Sequence, residues 1–317
     1  SAYTPPVPVS VQFMDLPLLT GTEVPYAPHL AVAAEPFPGT VALWSAPGSD
    51  GFQLNTLLQE SAVIGVTETA LPRARPGLWD RGGALRVRLD TGTFASADAL
   101  AVLNGANLMV IGDGSADNWE VIQFSHAELV APQAYDVSMR LRGQAGTDAI
   151  VPDLWPPGSR VVLMNGAPEQ ITVALGERGL ARTYRVAPAA RGFDDPDAEE
   201  QVLAFDGIGL RPYAPVHLRA RPGVGGALDV TWVRRGRIDA DSWNSTEVPL
   251  GEDREAYLVR VIAGGGIVRE ESVAMPMWSY TSAQRAEDGV GGSFTFSVAQ
   301  VSDRFGPGPF RALEVML

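Results

Sequence analysis

The sequence predicts an all-β protein: a larger β-rich barrel or sandwich followed by a smaller β-sandwich. Three observations predict it. Short apolar runs alternate with polar residues at period two, the spacing that buries one face of a strand. The chain carries 25 prolines and 34 glycines, gathered between those runs where tight turns are needed. Helix signals are few.

Residues 1–30 contain Pro5, Pro6, Pro8, Pro17, Pro25 and Pro28. Their rings fix φ and remove backbone donors. Val7, Val9, Val11 and Phe13 alternate, so the segment reads as an extended Pro-rich arm, or as an edge strand laid against another domain. Residues 31–206 read as one β-rich domain. Its strand-like runs begin at Val41, Ala62, Leu85, Asn107, Trp119, Tyr135, Arg160 and Tyr184. Between them, Gly48-Ser-Asp-Gly51, Arg81-Gly-Gly83 and Gly112-Asp-Gly114 are turn chemistry. Two helices are expected. One spans 96–103 with Ser96 as its cap. The other is a turn or two after Asp195-Pro196, with Asp197, Glu199 and Glu200 near its positive end. The third part, 207–317, follows a junction at Leu210-Arg-Pro-Tyr-Ala-Pro215. Its strands start at Pro215, Ala227, Tyr257 and Phe294. Leu228, Val230 and Trp232 alternate onto one face, and a Trp there suits the centre of a two-sheet core.

Composition narrows the function. The chain has 317 residues, 45% hydrophobic and 19% charged, enough for a sizeable core in about two domains. Net charge is −13, which repels phosphate backbones and anionic lipid, so nucleic acid and membrane surfaces are poor partners. All 24 basic residues are Arg, which excludes P-loop and Schiff-base lysines. With no cysteine, disulfides, thiolate metal sites and cysteine nucleophiles are excluded. No apolar run reaches the roughly 18–20 residues of a membrane span. The Ser1 start and the Pro-rich sequence after it suggest a piece of a longer polypeptide.

No catalytic motif is complete. His29, His126 and His217 are far apart and show no metal-ligand spacing. Gly112–Asn118 with Glu120 lacks the central glycine and the spaced bidentate acid of a calcium loop and reads as a turn. Asp194, Asp195, Asp197, Glu199 and Glu200 read as a solvated loop before a cation site. Catalysis, metal and cofactors are therefore not expected. Sugar binding is the more serious alternative, because aromatic rings stack on sugar faces and Trp44, Trp79, Trp155, Trp243 and Trp278 are available. Trp243, beside Asp241 and Asn244 in a polar loop, is equally suited to a sugar or to a neighbouring subunit.

Residues 211–317 resemble a fibronectin type III domain, a module that spaces, presents and binds. From about residue 30 onward the chain also resembles, in collinear order, the C-terminal region of the large tail-tip protein of gene transfer agents and related siphophage host-specificity proteins. The resemblance is carried by Leu103-Asn-Gly-Ala-Asn107, Trp119-Glu-Val-Ile-Gln-Phe124, Leu141-Arg-Gly-Gln-Ala-Gly-Thr-Asp148, Pro156-Pro-Gly-Ser-Arg-Val-Val-Leu163, Gly207-Ile-Gly-Leu-Arg-Pro-Tyr-Ala-Pro215, Thr231-Trp-Val-Arg-Arg235 and Val301-Ser-Asp-Arg-Phe-Gly-Pro-Gly-Pro309. It implies a non-enzymatic component of a phage-like tail tip or baseplate, made in the bacterial cytoplasm and released in the particle. The implied partners are other tail proteins and copies of itself in a homotrimer. Cell-surface polysaccharide is the alternative partner, and an accessory region of a cell-wall hydrolase a third reading. Within the Asp303–Pro309 loop, Arg304 and Phe305 are the candidate contact residues, with an ordinary hairpin connection as the plainer reading.

Overall fold

Residues that alternate along the first strands feed two different cores, and that alternation sets the layering of the first half. In the computed structural model, residues 7–238 and 251–317 are described. The chain forms two compact units, Ser1–Gly209 and Leu210–Leu317, and nearly all of its regular structure is strand.

In the first unit β1 (Ser10–Met14) pairs antiparallel with β2 (His29–Ala33), and Glu169–Gln170 adds to the far side of β2. β3 (Val41–Ala46) and β4 (Gln53–Leu58) join β11 (Arg182–Pro188) and β12 (Glu199–Leu203) in a second sheet. Phe13, Leu30 and Val32 point into the core between these sheets, with Val41, Leu43, Tyr184, Val186 and Phe205. Their sequence neighbours Met14, Ala31 and Ala33 point the other way, onto Ile64, Val110, Trp119, Val121 and Val162. Those last residues form the outside of a barrel.

The barrel strands are β5 (Ile64–Thr67), β6 (Leu85–Leu89), β7 (Leu108–Gly112), β8 (Trp119–Ala131), β9 (Ala134–Gln144) and β10 (Arg160–Leu163). The order β8-β7-β10-β5-β6-β9 closes through β9 onto β8, so all six strands have two neighbours and no open edge remains. Its interior holds Leu85, Val87, Met109, Ile111, Ile122, Phe124, Tyr135 and Val161. The first unit is therefore a closed barrel beside a two-sheet sandwich.

Three expectations need correction here. Within residues 1–30, the described part is not an arm but holds the edge strand that the alternation also allowed, because Phe13, Met14 and Leu16 are core residues of the first unit. The short helix α1 spans Ala99–Leu103 and is capped by Asp98, which accepts from Ala101 N at 2.8 Å, while Ser96 bonds to Ala127 on the barrel hairpin instead. Glu199 and Glu200 lie in strand β12, not in a helix. The Asp195 carboxylate closes a turn onto Asp197 N–H (3.1 Å) and pairs with Arg191, so it never caps a helix.

The boundary also moves. The buried Asp15 carboxylate accepts the N–H groups of Asp206 (2.8 Å), Gly207 (3.0 Å) and Ile208 (2.9 Å). These bonds tie Gly207 and Ile208 to the first unit, where sequence had opened the last domain at 207. Burial pushes the Asp15 carboxyl up to about 6, and the three N–H bonds oppose a larger rise.

The second unit is the expected sandwich. β13 (Val216–Pro222), β14 (Leu228–Val233) and β17 (Met277–Tyr280) form one sheet in the order β13-β14-β17. β16 (Gly266–Val273), β15 (Tyr257–Ala263), β18 (Phe294–Ser302) and β19 (Arg311–Val315) form the other, in that spatial order. The arrangement is fibronectin type III-like. Trp232 is 4% exposed and lies between the sheets. Its ring centroid is 5.2 Å from Tyr257, edge to face, and 5.8 Å from Phe296. A short helix, α2 (Ser282–Glu287), starts at a capping box in which Thr281 and Gln284 exchange bonds. No helix among the described residues is long and apolar enough to cross a membrane.

Candidate interaction site

The loops that leave β14 and β18 lie at one end of the sandwich, and their flanks are joined by ion pairs. Arg254 Nε donates to both oxygens of Asp303 at 2.9 and 3.0 Å. Arg304 Nε lies 3.7 Å from the Asp253 carboxylate. Charges thus cross between the two loops in both directions. The Arg254 partner holds the Asp303 carboxyl below its ordinary range.

The described stem of the longer loop is held by paired polar groups. Arg235 and Gln300 exchange reciprocal bonds (Arg235 N–H to Oε1 at 2.6 Å, Nε2 to Arg235 O at 2.8 Å), and the Arg235 guanidinium lies over the Tyr213 ring at 5.1 Å. Arg237 Nε donates to Glu252 at 2.8 Å, with both side chains nearly buried. Tyr257 donates its hydroxyl to Glu255 at 2.7 Å, and burial together with that carboxylate raises the phenol above its ordinary range.

The shorter loop is fixed just as tightly. Ser302 Oγ accepts the N–H groups of Arg304 and Phe305. Gly306 has a φ of 97°, a left-handed conformation that favours glycine. A Cβ on Gly308 would lie 2.4 Å from Pro212 O, so only glycine allows that close approach.

Of the residues singled out by sequence, Arg304 is exposed and Phe305 half-buried on this preformed loop. Trp243, Asp241 and Asn244 lie outside the described residues, in the stretch between Ile238 and Gly251. Other proposed sugar platforms are lost: Trp44, Trp155 and Trp278 are buried, which leaves Trp79 half-buried. The arginines of the stem were visible as a run in the sequence, but their carboxylate partners were not.

A second cluster lies inside the first unit. Glu120, fully buried, receives Arg142 Nε (2.7 Å) and Nη2 (3.0 Å), Gly143 N–H (3.0 Å) and Trp155 Nε1–H (2.7 Å). Arg142 Nη1 reaches Pro72 O, and Arg140 pairs with Asp80 at 3.0 Å. Burial pushes Asp80 up, but the Gly82 N–H and the two guanidinium charges outweigh it and leave its carboxyl low. Both oxygens of the Glu120 carboxylate are taken up by protein donors, so this cluster pins strands together and offers no reacting group. Gly143, at φ 56° and with a Cβ position 2.8 Å from Asp148, admits the close turn that completes it.

The histidines remain apart. His29 is buried with Nδ1 unpartnered, and burial lowers it to about 4, whereas His126 and His217 are exposed. Asp113 binds Ser115 and Asn118 in a closed turn. Among the described residues, no cluster of three His, Asp or Glu is placed to hold a metal.

Comparison with known proteins finds a family match in part of the chain. Residues 62–162, the barrel region, match the family described as Rcc01698-like, C-terminal. No curated protein matches the chain. Among solved structures, similarity is found to domains d3–d4 of the rat CD45 extracellular region, at 10% identity and a TM-score of 0.24 over 38% of this chain and 55% of that one. The FN1–FN3 domains of chicken CNTN1 give 10% and 0.25 over 80% and 66%. A two-domain fibronectin type III segment of chicken tenascin gives 8% and 0.25 over 80% and 99%. The chain thus spans 55% and 66% of the first two of these structures.

Proposed function

We propose that this chain is a non-enzymatic component of the tail tip of a gene transfer agent-like particle. In this reading the first unit builds the baseplate and the second unit meets the recipient cell surface. Two observations support it. The barrel region matches the Rcc01698-like C-terminal family, and the collinear strings named above run on past it to the end of the chain. The observation that carries the division of labour is the end of the sandwich. There the described flanks of two loops are joined by Arg254–Asp303 and Arg304–Asp253 pairs, and the shorter loop is shaped by Gly308, which leaves Arg304 exposed on it. Preorganised loops bind without a large ordering cost.

The test is imaging of particles that carry a small tag in the Asp303–Pro309 loop. The account expects tag density at the distal end of the tail, off the axis. Density inside the tail tube or in the head would overturn it. A second reading, cell-surface polysaccharide binding centred on Trp243, Asp241 and Asn244, is favoured by the polar sequence around that Trp. Titration with capsule fragments checks it: affinity unchanged by Trp243→Ala rejects it.

A further inference from the structure

The charge of this protein is unevenly placed. Residues 1–209 carry 12 Arg against 24 Asp and Glu, a net charge of −12, while residues 210–317 carry 12 Arg against 13, a net charge of −1. In a chain with so many carboxylates, exposed arginines often find one, as Arg73, Arg86, Arg88 and Arg254 do. Arg219 and Arg221 do not. Both are exposed, and neither has a carboxylate partner among the described residues.

These two arginines occupy alternate positions of β13, the edge strand of its sheet, so both project from the outer face, about 6–7 Å apart along the strand. His217 extends the row at a bulge, where its φ is 55°. Cross-strand neighbours complete the face: Thr231 opposite Arg219, Asp229 opposite Arg221, then Met277 and Ser279 on β17. Asp229 packs its carboxylate close to Gly223 and forms no ion pair with Arg221. Beside the row is a shallow depression of about 300 Å³ lined by His217, Arg219, Thr231, Trp232 and Val233.

We propose that this face of the second unit binds a linear acidic polysaccharide, with Arg219 and Arg221 taking successive carboxylates. A guanidinium presents a planar fork of donors that matches a carboxylate in two-point contact. An extended strand repeats that fork at a fixed interval, which suits a polymer carrying one carboxylate per sugar. Thr231 adds a hydroxyl for sugar hydroxyls. Nucleic acid fits less well. Among its described residues, the face lacks an exposed Phe, Tyr or Trp ring on which bases could stack. The inference rests on the cell-surface reading for its setting, but the binding itself is measured without the particle.

The test uses the whole chain immobilised on a sensor, with alginate oligomers, neutral dextran and single-stranded oligo-dT as probes, at low and high salt. The expected result is saturable alginate binding that weakens at high salt, with no dextran binding. The double variant R219E/R221E should lose roughly tenfold or more in affinity, and R219Q/R221Q should lie between it and the parent. The pair R75E/R81E, exposed arginines of the first unit, should bind as the parent does. Unchanged unfolding curves will show that the variants fold. Alginate binding that survives R219E/R221E, or no alginate binding at all, overturns the proposal. Oligo-dT binding of equal strength through the same arginines overturns the polysaccharide assignment. Each of these failures leaves the distal position of the tagged loop in particles unaffected.

Discussion

The two units place their densest arginine clusters differently. The first buries Arg140 and Arg142 completely and satisfies them with Asp80, Glu120 and backbone carbonyls. The second keeps its densest ion network at a rim. Arg269 reaches Glu271, Glu287 and Asp288 along the open side between β16 and β17, where inward-pointing charges and the bulge at Val261–Ile262 also discourage edge-to-edge pairing. A buried, saturated cluster defines one arrangement of strands. A rim network keeps its charges out of the apolar cluster around Trp232 and puts them at the surface. On the proposed reading, the first unit holds a shape and the second carries a surface.

The sharpest way to break this contrast is to remove one partner from each network. Arg142→Ala leaves the Glu120 carboxylate buried without its charge partner and should cost the first unit about 3–5 kcal/mol. Chemical unfolding followed by tryptophan fluorescence should show that loss in one transition and leave the second unit's transition in place. In the second unit the comparable loss should come from the apolar core. Trp232→Ala should cost about 3–5 kcal/mol, read by the same experiment in the other transition.

Acid titration sharpens the contrast further, because the first unit also buries Asp15 and His29. Asp15 rises from 3.8 to about 6 on folding, so the folded state holds more protons across that window and stability falls as pH rises through it. His29 drops from 6.5 to about 4, so the folded state holds fewer protons and stability rises with pH over nearly the same window. The two slopes oppose each other, each worth on the order of 3 kcal/mol across its window. The parent should therefore be nearly flat in this respect between pH 4 and 6. His29→Leu should expose a decline with rising pH, and Asp15→Asn an increase. The smallest effect belongs to the rim: Arg269→Ala should cost about 1–3 kcal/mol, since it removes charge-assisted bonds to Asp288 and Glu271 at the edge of the sandwich.

Much of the fold was legible because its strands obey period two. Leu228, Val230 and Trp232 face the core as their spacing says, and Phe13 lies in the core its alternation with Val9 and Val11 indicates. What escaped has physical causes. β16 reads Gly-Ile-Val-Arg-Glu-Glu-Ser-Val, and the rim charges Arg269 and Glu271 occupy positions where a core strand would be apolar. Asp195-Pro196 has the composition of a helix start, but the Asp195 side chain bonds forward to Asp197 N–H and to Arg191, and the glutamates after it are paired into a sheet. The candidate site was half legible. The exposed Arg304 could be read from its Gly/Pro loop, whereas its neighbour Asp253 comes from a loop distant in sequence, and only the fold brings the two together. Glu120 and Arg142 were equally opaque, since nothing in a local string marks an ion pair as buried.

The proposed division between shape and surface is tested most directly by gene transfer agent-like particles in which this chain stops at Gly209. The account predicts normal particle yield and tail length, with adsorption to recipient cells and gene delivery lost. Delivery at the parental level, or failure to assemble tails, would contradict it.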